Sequence, residues 1–249
     1  MKISDKDLNY LEGRMFSDYY NFKVTNSNMN LDREDYIAEL VQGKKVIHLG
    51  FADHIENVDR KIKNGTWFHS ILCDASERCL GVDINEETVE YIKNKYDMKD
   101  VLCGDITESG LEVIKEECWD YLILGEVLEH IENPIGFLKS IQEAYGPYFK
   151  YILITVPNAF YAGNFLNGLK GKEHINPDHK FWFTPFTIAK VITCSGYKID
   201  EIIFANNKPE PERAITLNLK GRIVKTILTR LYKKQETFKQ TLIAIASQV

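Results

Sequence analysis

The sequence has little that marks an exported, membrane-spanning or disordered chain. None of its apolar runs approaches the ~20 residues needed to span a bilayer. The longest, Tyr121–Leu124 and Tyr151–Val156, are strand-sized. The opening Met1-Lys-Ile-Ser-Asp-Lys-Asp7 lacks the apolar core of a signal peptide, so a cytoplasmic location is the default expectation. Cysteine is scarce and oddly numbered. Cys73, Cys79, Cys103, Cys118 and Cys194 contain no C-x-x-C spacing and read as buried or reduced thiols rather than a disulfide frame or zinc site. Basic charge is not in excess: the net charge is −5, which disfavours a nucleic-acid partner. There is no G-x-G-x-x-G, the fingerprint of dinucleotide-binding Rossmann domains. With 44% hydrophobic and 27% charged residues, collagen, a long coiled coil and wholesale disorder are also excluded.

What is present is a globular chain of 249 residues with a change of rhythm at Lys45. Residues 1–44 are polar and expected to be helical, with Asp32 able to cap a helix carrying Tyr36, Ile37, Leu40 and Val41 on one face. From residue 45 to 249 short apolar runs alternate with amphipathic stretches. Strands are expected at 46–49, 79–83, 100–103, 119–124 and 151–156, and helices at 66–73, 85–96 and 134–145. Alternation of this kind implies a parallel sheet covered on both faces. After Pro157 the pattern breaks. Residues 158–183, rich in Asn, Gly, His and aromatics, are expected to form an active-site loop or lid, since long structureless segments inside a domain are usually functional. A helix at about 185–194 and strands at 198–205 and 241–247 follow. Between those strands, 207–236 is a basic amphipathic insertion; its core, 220–234, suits either a solvated helix or a phosphate-bearing or membrane surface.

Ligands of doubly wound sheets bind beyond the carboxyl ends of the strands. Three such ends carry suggestive residues. Gly50 and Ala52 follow the first strand, where small residues allow close backbone approach. Asp83, with Ile84 after it, ends the second strand and can take two ribose hydroxyls, or simply cap the next helix. Gly104-Asp105-Ile106 ends the third: Asp105 could accept from an adenine amino group while Ile106 packs on the ring, or Asp105 could stabilise a turn. Gly125 ends the fourth, in Trp119-Asp-Tyr-Leu-Ile-Leu-Gly-Glu-Val-Leu-Glu-His130, with Pro134 beyond it.

This ordered set resembles the class I S-adenosylmethionine-dependent methyltransferases over roughly residues 45–206 and the last strand, in particular the methyltransferase type 11/12 group. The resemblance implies a Rossmann-like doubly wound α/β fold: a mostly parallel seven-stranded sheet with an antiparallel last strand. It implies S-adenosyl-L-methionine as cofactor, held by Gly50, Ala52, Asp83, Ile84, Gly104, Asp105, Ile106 and Gly125. The first motif departs from the family pattern: His48 stands where an acid is typical, and Ala52 and His54 replace later glycines.

A second constellation is Glu126-Val-Leu-Glu129-His130, whose spacings of three and four would put two carboxylates and an imidazole on one helix face. Such donors suit Mg²⁺, Mn²⁺, Zn²⁺ or Fe²⁺. A fourth ligand could come from His174 or His179. With Asp178-His179-Lys180-Phe181, the pattern is similar to the metal-dependent 2′-O-methyltransferases of small-RNA ends and to the ubiquinone-pathway O-methyltransferases. That likeness makes Glu126, Glu129, His130 and His179 the metal candidates. It also makes His130, His179 and Glu126 the catalytic ones, an imidazole serving as base if no metal is bound. Trp67 could cover the cofactor or belong to the core. Tyr161, Phe165, Trp182 and Phe183 could line an acceptor pocket or pack under the loop. The expected activity is O-methylation of a small-molecule hydroxyl, first a sugar or nucleotide-linked sugar of polysaccharide biosynthesis. A small-RNA 2′-O-methyltransferase and an inactive cofactor-binding partner subunit are the alternatives. The sequence leaves oligomeric state open.

Overall fold

A computed structural model describes residues 1–24, 31–208, 226, 230 and 235–249. The basic stretch 220–234 lies outside the described residues except for Thr226 and Arg230.

Seven strands form one sheet: β1 (Lys45–Leu49), β2 (Arg78–Asp83), β3 (Val101–Cys103), β4 (Trp119–Gly125), β5 (Phe149–Pro157), β6 (Tyr197–Ala205) and β7 (Thr241–Gln248). Their order is β3-β2-β1-β4-β5-β7-β6. The first five run parallel, and β7 is antiparallel to both β5 and β6. The expected mixed sheet is therefore present, with the last strand inserted between β5 and β6 rather than at the edge.

The strands read as continuous apolar runs because both faces are covered. Alternate residues divide between two cores. Ile47, Leu49, Leu80, Val82, Leu122, Leu124, Ile152 and Ile154 share one with Leu138 and Ile141 of one helix and Ile188 and Ile192 of another. Val46, Cys79, Ile123, Leu153 and Ile203 face the opposite way, against Ile37, Val41 and Leu72.

Nine α-helices are described: α1 (Asp5–Leu11), α2 (Arg33–Leu40), α3 (Ile55–Lys63), α4 (Phe68–Ala75), α5 (Glu86–Tyr96), α6 (Glu112–Lys115), α7 (Pro134–Tyr145), α8 (Ala162–Gly168) and α9 (Pro185–Cys194). Local chemistry sets several of their starts. The Asn85 side chain accepts from Thr88 N at 3.1 Å to open α5. Asn133 accepts from Gly136 N ahead of Pro134 in α7. Thr184 and Thr187 form a reciprocal capping box for α9.

Two expectations need correction. Among the described residues of 1–44, α1 and α2 are the helices, and Asp32, although at the N-cap position, makes no side-chain cap. It pairs instead with Asn206: the Arg33 N–H donates to Asn206 O at 2.7 Å, and Asn206 N–H to Leu31 O at 3.1 Å. Met1 and Leu11 are buried in the main core. Second, 158–183 is not structureless, since α8 lies within it. All five cysteines are free, Cys103 and Cys118 exposed and Cys79 buried.

Candidate functional site

The strand order reverses between β1 and β4, so the crevice for a ligand lies at the carboxyl ends of β2, β1 and β4. Gly50 leaves β1 at φ +71°, a left-handed conformation, and its N–H donates to Val82 O at 2.9 Å. A Cβ here would lie 2.5 Å from Val127 Cγ2, so both the backbone and the space require glycine. The chain then passes Asp83. Its Oδ2 accepts from Ala52 N at 3.0 Å and its Oδ1 from Asn85 N at 2.9 Å. Burial pushes the Asp83 carboxyl upward, and the N–H donors of Asn85, Ala52 and Ile84 pull against it. The bonds from Ala52 and Asn85 fall on different oxygens, and the carboxylate keeps acceptor capacity for an incoming donor.

Gly104 N–H donates to Asp83 O at 2.8 Å, which brings the third strand end beside the second. Asp105 is exposed, and its Oδ1 accepts from Thr107 N and Oγ1 at 2.8 and 2.7 Å, the turn-stabilising arrangement. The two isoleucines differ sharply. Ile106 is 2% exposed in the main core, whereas Ile84 is 74% exposed beside Asp83. Gly125 abuts Phe68 and His48, where a Cβ would come within 3.2 and 3.3 Å.

After Gly125 the chain does not continue as a regular helix. Glu126 has φ +58°, uncommon for a side-chain-bearing residue, and only Leu128–His130 form a 3₁₀ turn. The conformation is held from two sides. Glu126 N–H donates to Thr155 O at 3.1 Å, and Thr155 Oγ1 donates to Glu126 Oε1 at 3.1 Å. Arg33 Nη1 of α2 pairs with the same Oε1 at 3.2 Å while its guanidinium stacks 5.0 Å from the Phe68 ring. Arg33 and Thr155 were not among the residues read from the sequence. Thr155 near the carboxyl end of a strand was the available signal; Arg33 offered none.

The turn buries Glu129 completely; as a carboxylate neither oxygen has a hydrogen-bond donor, and when protonated its neighbour is the Glu126 carboxylate. His179 Nε2 lies 3.8 Å from Glu129 Oε1, and its buried Nδ1 is likewise unpartnered. The His130 and His179 rings stand edge to face at 4.7 Å. One donor atom from each of Glu129, His130 and His179 lies within 4.8 Å of the others. Glu126 is adjacent but directed to Arg33. Burial, and then the neighbouring Glu126, raise Glu129 to about 9; burial and His130 lower His179. The segment carrying His179 is strapped onto the turn: Lys180 N–H donates to Glu129 O at 2.8 Å, and its Nζ to His130 O at 2.6 Å.

The remaining candidates separate. His174 and His54 are exposed and are not among the clustered donors. Trp67 is core, packed with Phe51 and Val58. Phe183 is buried in the main core, Phe165 is exposed, and Trp182 donates to Glu173 Oε1 at 3.1 Å. Among the described residues no helix is long and apolar enough to cross a membrane.

Residues 64–147 match the family described as a methyltransferase domain, a segment that contains Asp83, Gly104-Asp105 and Glu126–His130. No curated protein matches the sequence. Among solved structures, magnesium protoporphyrin IX methyltransferase of Synechocystis PCC 6803 with bound S-adenosylhomocysteine is 12% identical; the alignment covers 100% of this chain and 90% of that one, at a TM-score of 0.52. The small RNA methyltransferase HEN1 is 17% identical over 92% of this chain and 27% of its own, at 0.53. The methyltransferase domain of bacterial CtHen1 is 17% identical, over 86% and 94%, at 0.50. At these identities the likeness is one of fold. Residues 64–147 thus match a methyltransferase domain, and they lie in a sheet with the strand order of the Rossmann-like methyltransferase fold.

Proposed function

We propose that the chain methylates a hydroxyl oxygen, with Glu129, His130 and His179 holding a divalent cation beside the cofactor crevice. The supporting observation is the Glu129 carboxyl group: buried, with no hydrogen-bond donor on either oxygen and two imidazoles next to it. Burying an ionised carboxylate costs several kcal/mol, so the metal-free chain holds Glu129 protonated beside Glu126; a cation would displace that proton and pair with the carboxylate. A carboxylate and two imidazoles suit Mn²⁺, Fe²⁺ or Zn²⁺ better than Mg²⁺. A bound cation would lower the pKa of the acceptor hydroxyl so that an oxygen nucleophile forms near neutral pH.

The protein's own share is alignment. Asp83 takes the ribose hydroxyls on its free lone pairs, and exposed Ile84 offers an apolar surface to the adenine. Gly50, Ala52 and Gly104 let the cofactor lie against backbone. Gly125 and Glu126 set the strand end facing the methyl group, and Arg33 fixes the Glu126 carboxylate. The Lys180 strap carries His179 over the turn and limits water.

The acceptor we favour is a small polar molecule with neighbouring hydroxyls, a sugar or nucleotide-linked sugar. A chain with net charge −5 attracts an RNA phosphate backbone poorly. The 3′-terminal ribose of a small RNA is the second reading, favoured by the fold likeness to HEN1. Transfer of labelled methyl from S-adenosylmethionine to nucleotide sugars and to short RNA, with and without chelator, tests both. Transfer to a sugar that chelator abolishes is the expected result. Chelator-insensitive transfer would remove the cation and leave His130 or His179 as base. Absence of turnover on every hydroxyl, with cofactor still bound, would point to an inactive partner subunit.

A further inference from the structure

A second buried cluster of donor side chains lies on the other side of α4 from solvent, and the methyl-transfer chemistry makes no use of it. His69 and Cys73 are four residues apart on α4 and so share one helix face. Cys79 lies on β2, in register with Val46, and His48 of β1 is in register with Gly81. His48, His69 and Cys79 are buried, while Cys73 is half-buried. The two imidazoles approach with Nδ1 to Nδ1 at 3.2 Å. Cys79 Sγ is 3.6 Å from His69 Nδ1, and Cys73 Sγ is 3.6 Å from His69 Nε2. One donor atom from each of His69, Cys73 and Cys79 lies within 4.8 Å of the others. Gly81 makes the room: a Cβ there would come 2.9 Å from His69 Cε1.

The two separations taken at His69 Nδ1, to His48 and to Cys79, have the scale of edges of a tetrahedral shell; Cys73 contacts the other ring nitrogen, so its side chain would turn to bring the sulfur to the same ion. Bonds of about 2.0–2.1 Å to nitrogen and 2.3 Å to sulfur give ligand-to-ligand edges of roughly 3.3–3.8 Å. The donor set is two thiols and two imidazoles, which suits zinc and discriminates against Mg²⁺ and Ca²⁺. It shares no residue with Glu129, His130 and His179, which offer no sulfur.

We propose that His69, Cys73 and Cys79 bind a zinc-class divalent ion, with His48 completing the set. Binding is an exchange of protons for metal. The two thiols release their protons to solvent, two sulfur–metal and two nitrogen–metal bonds form, and nothing is oxidised or reduced. Half-buried Cys73 provides the entry side. Four protein ligands leave no open position for water or substrate, so the site is structural. It would clamp α4 to β1 and β2, the two strands whose ends carry Gly50 and Asp83.

The test is a cobalt titration of the full chain, demetallated and fully reduced, with all five thiols confirmed free by thiol titration. The proposal expects a thiolate-to-cobalt charge-transfer absorption that saturates at one equivalent and is displaced by zinc. It expects the band to persist in Glu129→Gln and to disappear in Cys73→Ser with Cys79→Ser. No charge-transfer band in the reduced wild-type chain at excess cobalt would overturn it, and that arm depends on no variant folding. A band that survives in a folded double-serine variant would overturn it as well, because the sulfur would then come from another cysteine. Either failure leaves the methyl-transfer proposal standing, since that cation has no sulfur ligand.

Discussion

Replacing Glu129 by Gln separates the demands of function from those of folding. In the metal-free chain burial holds this carboxyl group protonated up to about 9, against an ordinary glutamate value of 4.5. Between those limits the folded state carries one proton that the unfolded state has lost. A group raised on folding stabilises fully below its unfolded pKa and loses that contribution as pH rises toward the folded value. One proton corresponds to about 1.4 kcal/mol per pH unit. From pH 5 to pH 8 the wild-type chain should lose on the order of 3–4 kcal/mol through this site alone. Gln has nearly the same shape and no ionisation, so Glu129→Gln should match wild type near pH 5 and exceed it progressively toward pH 8. Urea unfolding in chelator at several pH values reads this difference directly, because the other titrating groups are common to both chains. The variant should also lose methyl transfer while becoming more stable. A stability difference that does not change with pH would refute the reasoning, since Glu129 would then ionise normally in the folded chain.

Other substitutions probe the rest of the crevice. Asp83→Ala removes two charge-assisted acceptors and should weaken S-adenosylhomocysteine binding at least about thirtyfold by calorimetry, with unchanged affinity refuting the ribose assignment. Gly50→Ala introduces a left-handed alanine and a clash with Val127 Cγ2, costing about 2–4 kcal/mol in denaturant unfolding. Adding Val127→Ala should restore only the clash portion, and no restoration at all would contradict the contact. Arg33→Ala frees Glu126 Oε1 and should reduce kcat between about tenfold and a hundredfold with little loss of stability. Arg33→Lys should not rescue it, because the planar fork reaches Glu126 and Glu34 while stacking on Phe68; full rescue by Lys would show that charge alone suffices.

The sheet was legible because its strands are apolar on both faces and too short to be helices, and because Asn85, Asn133-Pro134 and Thr184-Pro185 mark helix starts by local chemistry. Helix α3 was missed although it is amphipathic: most of its residues are charged, and Val58 is its one buried residue. Helix α8 was hidden for a related reason, since Ala162 is its only buried residue. In the candidate site, Gly50, Asp83 and Gly104 could be picked out because each stands at or just after a strand end. The arrangement of Glu126–His130 could not, because helical spacing does not foresee a left-handed glutamate followed by a 3₁₀ turn. Arg33 and the His48, His69, Cys73, Cys79 cluster are products of tertiary packing. Their members come from separate elements, and no spacing along the chain announces them.

The most direct test of the central claim is calorimetric titration of S-adenosylhomocysteine into the full chain. The crevice formed by Gly50, Ala52, Asp83 and Gly104 should take one equivalent with a Kd in the micromolar range or tighter, and Asp83→Ala should abolish most of that affinity. Absence of binding by a folded wild-type chain would contradict the account, because the altered first motif around His48, Ala52 and His54 would then have closed the site to the cofactor.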